Sequence, residues 1–194
     1  MTAHRFLLGN YFPLLFLLLF GSINFVLGQE DYKDGYVVTV KNDTLFGRVS
    51  DRKLGPFGGG IHEKIKLKGK RLKKRFSPKD VRSYKKGDSI YRSLFLDGEY
   101  QFLRVVSEGA VSYYAYELQE QGEQMVLDVA YLRKENSRSL IRADQGIFGL
   151  KRKRLSMFFA DCPPLVLKIQ NKELKYVFEV VNFYNEWKEN QKTY

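Results

Sequence analysis

The feature that most limits the fold of this 194-residue chain is a series of short apolar segments separated at regular intervals by turn-forming residues. The first two, residues 36–40 and 45–49, flank Lys41-Asn42-Asp43-Thr44, and Asn and Asp tolerate the left-handed backbone of tight turns. We therefore predict a hairpin here. The same spacing predicts further strands at 64–68, 72–76, 81–84, 89–94, 100–106, 111–118 and 125–133. This arrangement is typical of a meandering antiparallel sheet.

Three local patterns refine this prediction. In Lys64–Lys68 charged and apolar side chains alternate, which predicts a strand with Ile65 and Leu67 inward and the lysines outward. Ser77-Pro78-Lys79-Asp80 has a Ser cap, a Pro at the first helical position and an acid at the third, so a single helical turn is expected before the next strand. Residues 54–60 are rich in glycine and predict a loop.

The pattern changes from period two to helical spacing near Gly149. Residues 150–160 predict an amphipathic helix that ends at the Asp161-Cys162-Pro163-Pro164 segment, and residues 165–169 predict a short helical turn. A longer helix is predicted over 172–188, with an apolar stripe of Leu174, Val177, Phe178, Val181 and Tyr184. The fold class is thus α+β, with an antiparallel twisted sheet or partly closed β-roll over residues 35–133 followed by two or three C-terminal helices over 150–188.

The N-terminal segment predicts a cleavable signal peptide over residues 1–28, which leaves residues 29–194 as one exported domain. Its polar start with Arg5 precedes an apolar run over 11–27, and compact residues ending at Gly28 precede polar Gln29. The run approaches the ~20 residues that span a bilayer, so an uncleaved inner-membrane anchor is the alternative. The expected location is the periplasm or outside the cell.

Few side chains in this chain support catalysis. His62 and Cys162 are the single His and Cys of the predicted exported domain, so zinc sites built on paired histidines are excluded within one chain, and no metal or cofactor is expected. We expect Cys162 to be a buried free thiol. Carboxylates such as Asp97 and Glu99 leave open a hydrolase that uses acidic residues, although sequence spacing does not give their separation.

The strongest functional signal is charge. The chain has a formal net charge of +11, and residues 64–79 contain nine basic residues and no acid. A second run, Lys151–Arg154, begins the first predicted C-terminal helix. The predicted anion-binding hairpin contains Lys64, Lys66, Lys68, Lys70, Arg71, Lys73, Lys74 and Arg75. Its expected partners are anionic lipid, acidic glycan or acidic protein of the cell envelope, with nucleic acid less expected. The alternative is that these lysines only solubilise an exposed strand and prevent edge-to-edge aggregation.

Several weak motifs resemble those of an exported β-rich protein family of unknown function that is abundant in Bacteroidota. They are Gly35-Tyr36-Val37-Val38, Asn42-Asp43-Thr44, Gly47, Phe76–Val81, Phe102–Val106, Gly109, Ser112-Tyr113-Tyr114, Phe159–Pro163 and Tyr184-Asn185. The resemblance implies an exported β-rich domain of a Gram-negative bacterium and carries no activity. Relatives often have a Cys at the position of Trp187, so a bridge to Cys162 that the resemblance implies for them has no counterpart here.

These observations favour a non-enzymatic periplasmic or cell-envelope binding module with a basic hairpin surface. The alternatives are the acid-dependent hydrolase and a structural subunit that pairs through its sheet edge or its aromatic helix.

Overall fold

The computed structural model describes residues 31–52, 61–70, 72–118, 127–146 and 148–192, with the backbone alone for residues 52, 61–63 and 118. The predicted signal peptide and the predicted loop at 54–60 lie outside the described residues.

The described residues form ten strands and three α-helices. The strands are β1 (Lys33–Thr39), β2 (Thr44–Arg52), β3 (Ile61–Lys68), β4 (Lys73–Phe76), β5 (Val81–Lys86), β6 (Ser89–Leu96), β7 (Glu99–Ser107), β8 (Val111–Leu118), β9 (Leu127–Lys134) and β10 (Ile141–Arg142). The helices are α1 (Arg152–Phe158), α2 (Pro163–Gln170) and α3 (Val177–Lys192). This confirms the predicted α+β class, with the sheet first and the helices last.

All strands belong to one antiparallel sheet, in the order β10-β9-β8-β7-β6-β5-β1-β2-β3-β4. The predicted first hairpin is confirmed, and Asn42 in its turn has a φ of 68°. Asp97 and Gly98, which join β6 to β7, also have positive φ, as a two-residue hairpin turn of type I′ requires. Among the strands of the described residues, only the short strand β10 was not predicted.

The link between β4 and β5 makes the sheet curl. These strands lie four inter-strand steps apart, which is ~19 Å in a flat sheet. Only Ser77 and the 3-10 turn Pro78–Asp80 connect them, and a 3-10 turn rises only ~2 Å per residue. The first five strands therefore wrap into an open roll, and the turn rests on β6, where Ser93 Oγ donates a hydrogen bond to Pro78 O at 2.5 Å.

The predicted helical turn at Pro78 is confirmed as this 3-10 turn. Asp80 Oδ2 accepts hydrogen bonds from Ser77 N at 2.9 Å and from Ser77 Oγ at 2.6 Å. These hydrogen bonds, the side-chain one foremost, lower the pKa of Asp80. The turn is thereby fixed in the geometry that returns the chain from β4 to β5.

Alternation along β8 distributes its side chains between two apolar layers. Val111 and Tyr113 contact the helices, whereas Tyr114 and Tyr116 belong to a cluster on the opposite face. A third cluster fills the roll, and Ile65 and Leu67 are fully buried in it, which confirms their predicted inward orientation. The roll cluster consists of Val37, Val49, Ile65, Leu67, Phe76, Val81, Tyr84, Tyr91 and Phe102.

The helices depart from prediction at three points. Pro163 and Pro164 begin α2 rather than only separating two helices, because proline suits the first helical turn, where its missing N–H has no partner to lose. Phe178 was expected in the apolar stripe but is 53% exposed. Helix α3 begins five residues later than predicted because Glu179 Oε2 accepts hydrogen bonds from Lys175 N and Tyr176 N, which caps the helix start.

Helix α3 packs against both β8 and α2, as expected from its wide apolar surface. The described residues contain no helix that is long and apolar enough to cross a membrane.

Candidate functional site

The basic hairpin of the sequence is the β3–β4 pair at one edge of the sheet. Two rows of cations cross neighbouring strands on the surface opposite Ile65. In one row Lys68 lies between Arg48 of β2 and Lys73 of β4, and in the other Lys66 lies opposite Arg75. Directly opposed residues have Cβ atoms ~4.5–5.5 Å apart, and like charges at that spacing are destabilising. We call Arg48, Lys66, Lys68, Lys73 and Arg75 the cation array.

Of the remaining predicted site residues, Lys70 adjoins the array, and Lys64 and Lys74 lie away from it. Lys70 is in the β3–β4 turn, beside Arg48 and Lys68. Lys74 is on the strand face of Phe76, with Nζ 5.0 Å from the centre of that ring. Lys64 faces a separate cleft, and Arg71 lies outside the described residues. The hairpin thus brings together five of the eight predicted residues: Lys66, Lys68, Lys70, Lys73 and Arg75.

The structure also contains a cleft of about 570 Å³ between the 3-10 turn and the tip of the β6–β7 hairpin. Lys64 and Lys79 line it together with the carboxylates of Glu99 and Glu117. Exposed aromatic rings stand at its rim, where Phe95 and Tyr100 pack edge to face with centroids 5.4 Å apart. Sequence reasoning missed this cleft because its residues come from five separate elements.

A buried chain of polar and aromatic groups leads from this cleft into the roll. Glu117 is 8% exposed and accepts hydrogen bonds from Arg104 Nε at 2.7 Å and from Tyr91 Oη at 3.4 Å. The ring of Tyr91 stacks on Tyr84 with centroids 4.6 Å apart. Tyr84 Oη in turn donates to Asp51 Oδ2 at 2.9 Å.

Two cations pair with the carboxylates of this polar network. Lys86 Nζ lies 2.5 Å from the buried Asp51 Oδ1, and Arg104 Nη2 lies 2.5 Å from Asp128 Oδ2. Burial, followed by the charge of Asp51, raises the pKa of Tyr84 well above its ordinary value. Tyr84 therefore remains a neutral hydrogen-bond donor at physiological pH. We assign this polar network a structural role, which is to fix the position of Glu117.

The remaining candidate catalytic and metal-binding residues give little support for an enzymatic activity. His62 is in β3, and its side chain lies outside the described part of the structure. Cys162 is fully buried, as expected, and burial raises the pKa of its thiol, which makes it a poor nucleophile. Asp97 is a turn residue, and only Glu99 of the two named carboxylates lines the cleft. Among the described residues, no group of three His, Cys, Asp or Glu side chains could hold a metal ion.

The second basic run lines another cleft, of about 870 Å³, beside α1. Arg152 has a structural role there, since its Nη1 donates to the carbonyl oxygens of Ile169 and Leu174, each at 3.0 Å. Lys151, Lys153 and Arg154 line the same cleft.

Comparison of the chain with protein-family models, with curated proteins and with solved structures finds no match. Function must therefore be argued from these surfaces.

Proposed function

We propose that the protein is a non-enzymatic binding module of the cell envelope whose cation array binds an acidic polysaccharide. The observation that supports this most is the register of β3 and β4, which opposes Lys68 to Lys73 and Lys66 to Arg75. A ligand with regularly spaced anionic groups relieves the repulsion between opposed cations and gains charge-assisted hydrogen bonds from them.

The geometry suits a chain-like ligand. Cations recur at ~5 Å across the strands and at ~7 Å along them, since every second residue of a strand lies on the same face. Lys68, Lys73 and Arg75 are exposed, and none of them forms an ion pair with a described carboxylate. If the lysines served only to prevent aggregation at the sheet edge, one or two of them on the edge strand β4 would suffice. The array instead extends over three strands.

The test is binding of the full chain to polygalacturonate, with neutral dextran as the reference, from about 0.05 to about 0.5 M salt. Each cation near an anionic surface contributes ~1 kcal/mol. The double variant Lys68→Glu/Lys73→Glu should therefore weaken binding more than about 10-fold. Binding to the unsubstituted chain should also fall steeply as salt rises.

The matched control is Lys41→Glu/Lys192→Glu, which has the same change in net charge at exposed positions outside the array. If both double variants lose binding equally, only net charge matters and the proposal is wrong. The single variant Lys68→Glu tests the repulsion within the array through its effect on stability. It should raise the free energy of unfolding by roughly 0.2–1 kcal/mol, because it replaces repulsion of Lys73 by attraction.

A hydrolase at the Glu99/Glu117 cleft is the second candidate, favoured by the presence of both carboxylates in one concave site. It predicts that Glu99→Gln abolishes hydrolysis of a bound polysaccharide while leaving its binding unchanged. Release of reducing ends from polygalacturonate by the unsubstituted chain is the measurement, and no release in either protein removes glycan hydrolysis as the activity.

A further inference from the structure

A second exposed surface lies at the opposite end of the sheet from the cation array. It combines two highly exposed apolar side chains with cations. Phe148 is 79% exposed and Met157 is 72% exposed. Lys151, Lys153 and Arg154 line the cleft that Met157 also lines, and no carboxylate does so among the described residues. Phe148 adjoins this cleft, since its N donates to the O of Gln145 at 3.4 Å and Gln145 lines the cleft. We call Phe148, Lys151, Lys153, Arg154 and Met157 the α1 surface.

Phe148 lies in a turn whose described residues are hydrogen-bonded to one another. Gln145 N donates to Gly149 O at 2.9 Å, and Gly149 N donates to Gly146 O at 3.1 Å. Gly146 and Gly149 both have positive φ, and a Cβ at either would have no atom within 4 Å. Gly146 and Gly149 therefore border open space, and the aromatic side chain between them in sequence, Phe148, is exposed to solvent.

We propose that the α1 surface docks on an anionic lipid bilayer, with Phe148 and Met157 in the interfacial region and the three cations at the level of the head groups. Amphipathic side chains such as Lys and Arg extend along apolar surface while their charged ends stay in the polar layer. Juxtaposed apolar and basic residues are the features that bind anionic membrane surfaces.

A folded acidic partner fits this surface less well. A stable protein interface buries more than about 1,000 Å², and a single protruding aromatic with one exposed Met gives little continuous apolar area. A bilayer is extended, so it meets a projecting turn without a complementary pocket and offers anionic groups to every cation around it.

The test uses tryptophan as a local probe in the full chain. Phe148→Trp should show a blue-shifted emission with vesicles of phosphatidylcholine containing about 30% phosphatidylglycerol, and no shift with phosphatidylcholine alone. The native Trp187, measured in the unsubstituted chain, gives the baseline. The matched control is Phe46→Trp, at a residue that is 74% exposed on β2 beside the cation array.

A second variant tests the charges. Lys151→Gln/Lys153→Gln/Arg154→Gln in the Phe148→Trp background should need about 100-fold more anionic lipid for half of the shift, at about five-fold per cation. The equal charge change Lys68→Gln/Lys73→Gln/Arg75→Gln should leave the shift of Phe148→Trp unchanged.

The outcomes separate the two proposals. A shift at residue 148 alone supports docking through the α1 surface, whatever the result with polygalacturonate. A shift at residue 46 alone assigns lipid binding to the cation array and overturns the inference. A shift at residue 148 with polyglutamate but not with vesicles identifies an acidic protein as the partner and also overturns it, as does no shift at all.

Discussion

Lys86 holds a buried carboxylate inside the roll. Its Nζ contacts Asp51 Oδ1 at 2.5 Å and Asp31 Oδ2 at 2.9 Å, and the side chains of Lys86 and Asp51 are only 7% and 2% exposed. An ion pair of this kind contributes little over a well-packed apolar pair, but removal of one partner leaves an uncompensated charge in a low-dielectric interior. The stability of the roll therefore depends on both charges being present together.

We expect Lys86→Met to lower the free energy of unfolding by about 3–5 kcal/mol. Urea denaturation followed by circular dichroism measures this. The double variant Lys86→Met/Asp51→Asn should recover part of the loss, because the neutral amide still accepts the hydrogen bond from Tyr84. Arg92→Ala is the matched control, since Arg92 and Glu108 form an exposed ion pair and its loss should cost about 1 kcal/mol or less. Equal losses in both single variants would contradict this account.

Asp161, in the link between α1 and α2, joins β9 to α3. It accepts hydrogen bonds from Lys134 Nζ of β9 and from Tyr184 Oη of α3, both at 2.7 Å, and Lys188 Nζ lies 3.4 Å away. Burial acts to raise the pKa of Asp161, but the hydrogen bonds from Lys134 and Tyr184 outweigh it and lower the pKa to about 2. The carboxylate form thus favours the folded state.

This lowered pKa predicts acid sensitivity. Because the folded value is below the unfolded value of ~3.9, the stabilisation is complete above pH ~4 and is lost as pH falls towards 2. Asp161 is 40% exposed, so after allowance for solvent screening the contribution is about 1 kcal/mol. Thermal unfolding from pH 6 to 2 should show Asp161→Asn destabilised at pH 6 and converging on the unsubstituted chain near pH 2. Asp88→Asn, in an exposed turn, should follow the unsubstituted chain throughout.

At the scale of elements, helix α3 is tied to the start of β8 by one side chain. Asn185 Oδ1 accepts a hydrogen bond from Val111 N at 2.8 Å, and Asn185 Nδ2 donates to Val111 O at 3.0 Å. The amide thus occupies the place of a neighbouring strand residue. Gly109 makes room for it, because a Cβ at 109 would lie 2.6 Å from Asn185 Nδ2.

Asn185→Ala should lower the free energy of unfolding by about 2–3 kcal/mol, because two backbone groups that are partly buried lose their partners. Chemical denaturation measures the difference. Asn182→Ala, one turn away on the exposed face of the same helix, should change stability by less than about 0.5 kcal/mol. A small effect at both positions would show that water replaces the amide without cost.

Elements whose signals are local could be predicted from the sequence. The strands β1 to β9 follow from alternation and turn chemistry, and β8 was predicted with its observed bounds. Strand β10 was missed because two residues are too few to show the alternation of a strand. Ile141–Arg142 is a strand only through its pairing with β9. Phe178 was misplaced because the buried face of α3 is centred on Val177, Val180, Val181 and Tyr184, and Phe178 lies outside that face. The start of α3 was misplaced because capping by the Glu179 side chain is not visible in a helical periodicity.

At the scale of the whole molecule, two oppositely located surfaces carry the proposed contacts. Four residues of the cation array, Lys66, Lys68, Lys73 and Arg75, could be predicted because they are nearly contiguous in the chain. Arg48 was missed because it comes from β2 and joins them only through strand pairing. The Glu99/Glu117 cleft and the α1 surface could not be predicted, because the first depends on the curl of the sheet and the second on the exposure of Phe148, which an apolar residue in a sequence does not indicate. The clustering of charge could thus be predicted from the sequence, whereas the position of a cleft could not.

The strand order has a kinetic consequence. Every ladder joins strands that follow one another in the chain except that between β1 and β5, where Val38 lies opposite Ser83, a separation of 45 residues. Closing that long loop loses more chain entropy than closing any hairpin, so the meanders β1–β4 and β5–β10 should form before they join. Val37→Ala, at the junction opposite Tyr84, should therefore slow folding in stopped-flow measurements. Destabilising substitutions at the β6–β7 hairpin tip, which forms before the meanders join, should also slow folding and change the unfolding rate little. The rate at which this protein folds is then set by a single pair of strands.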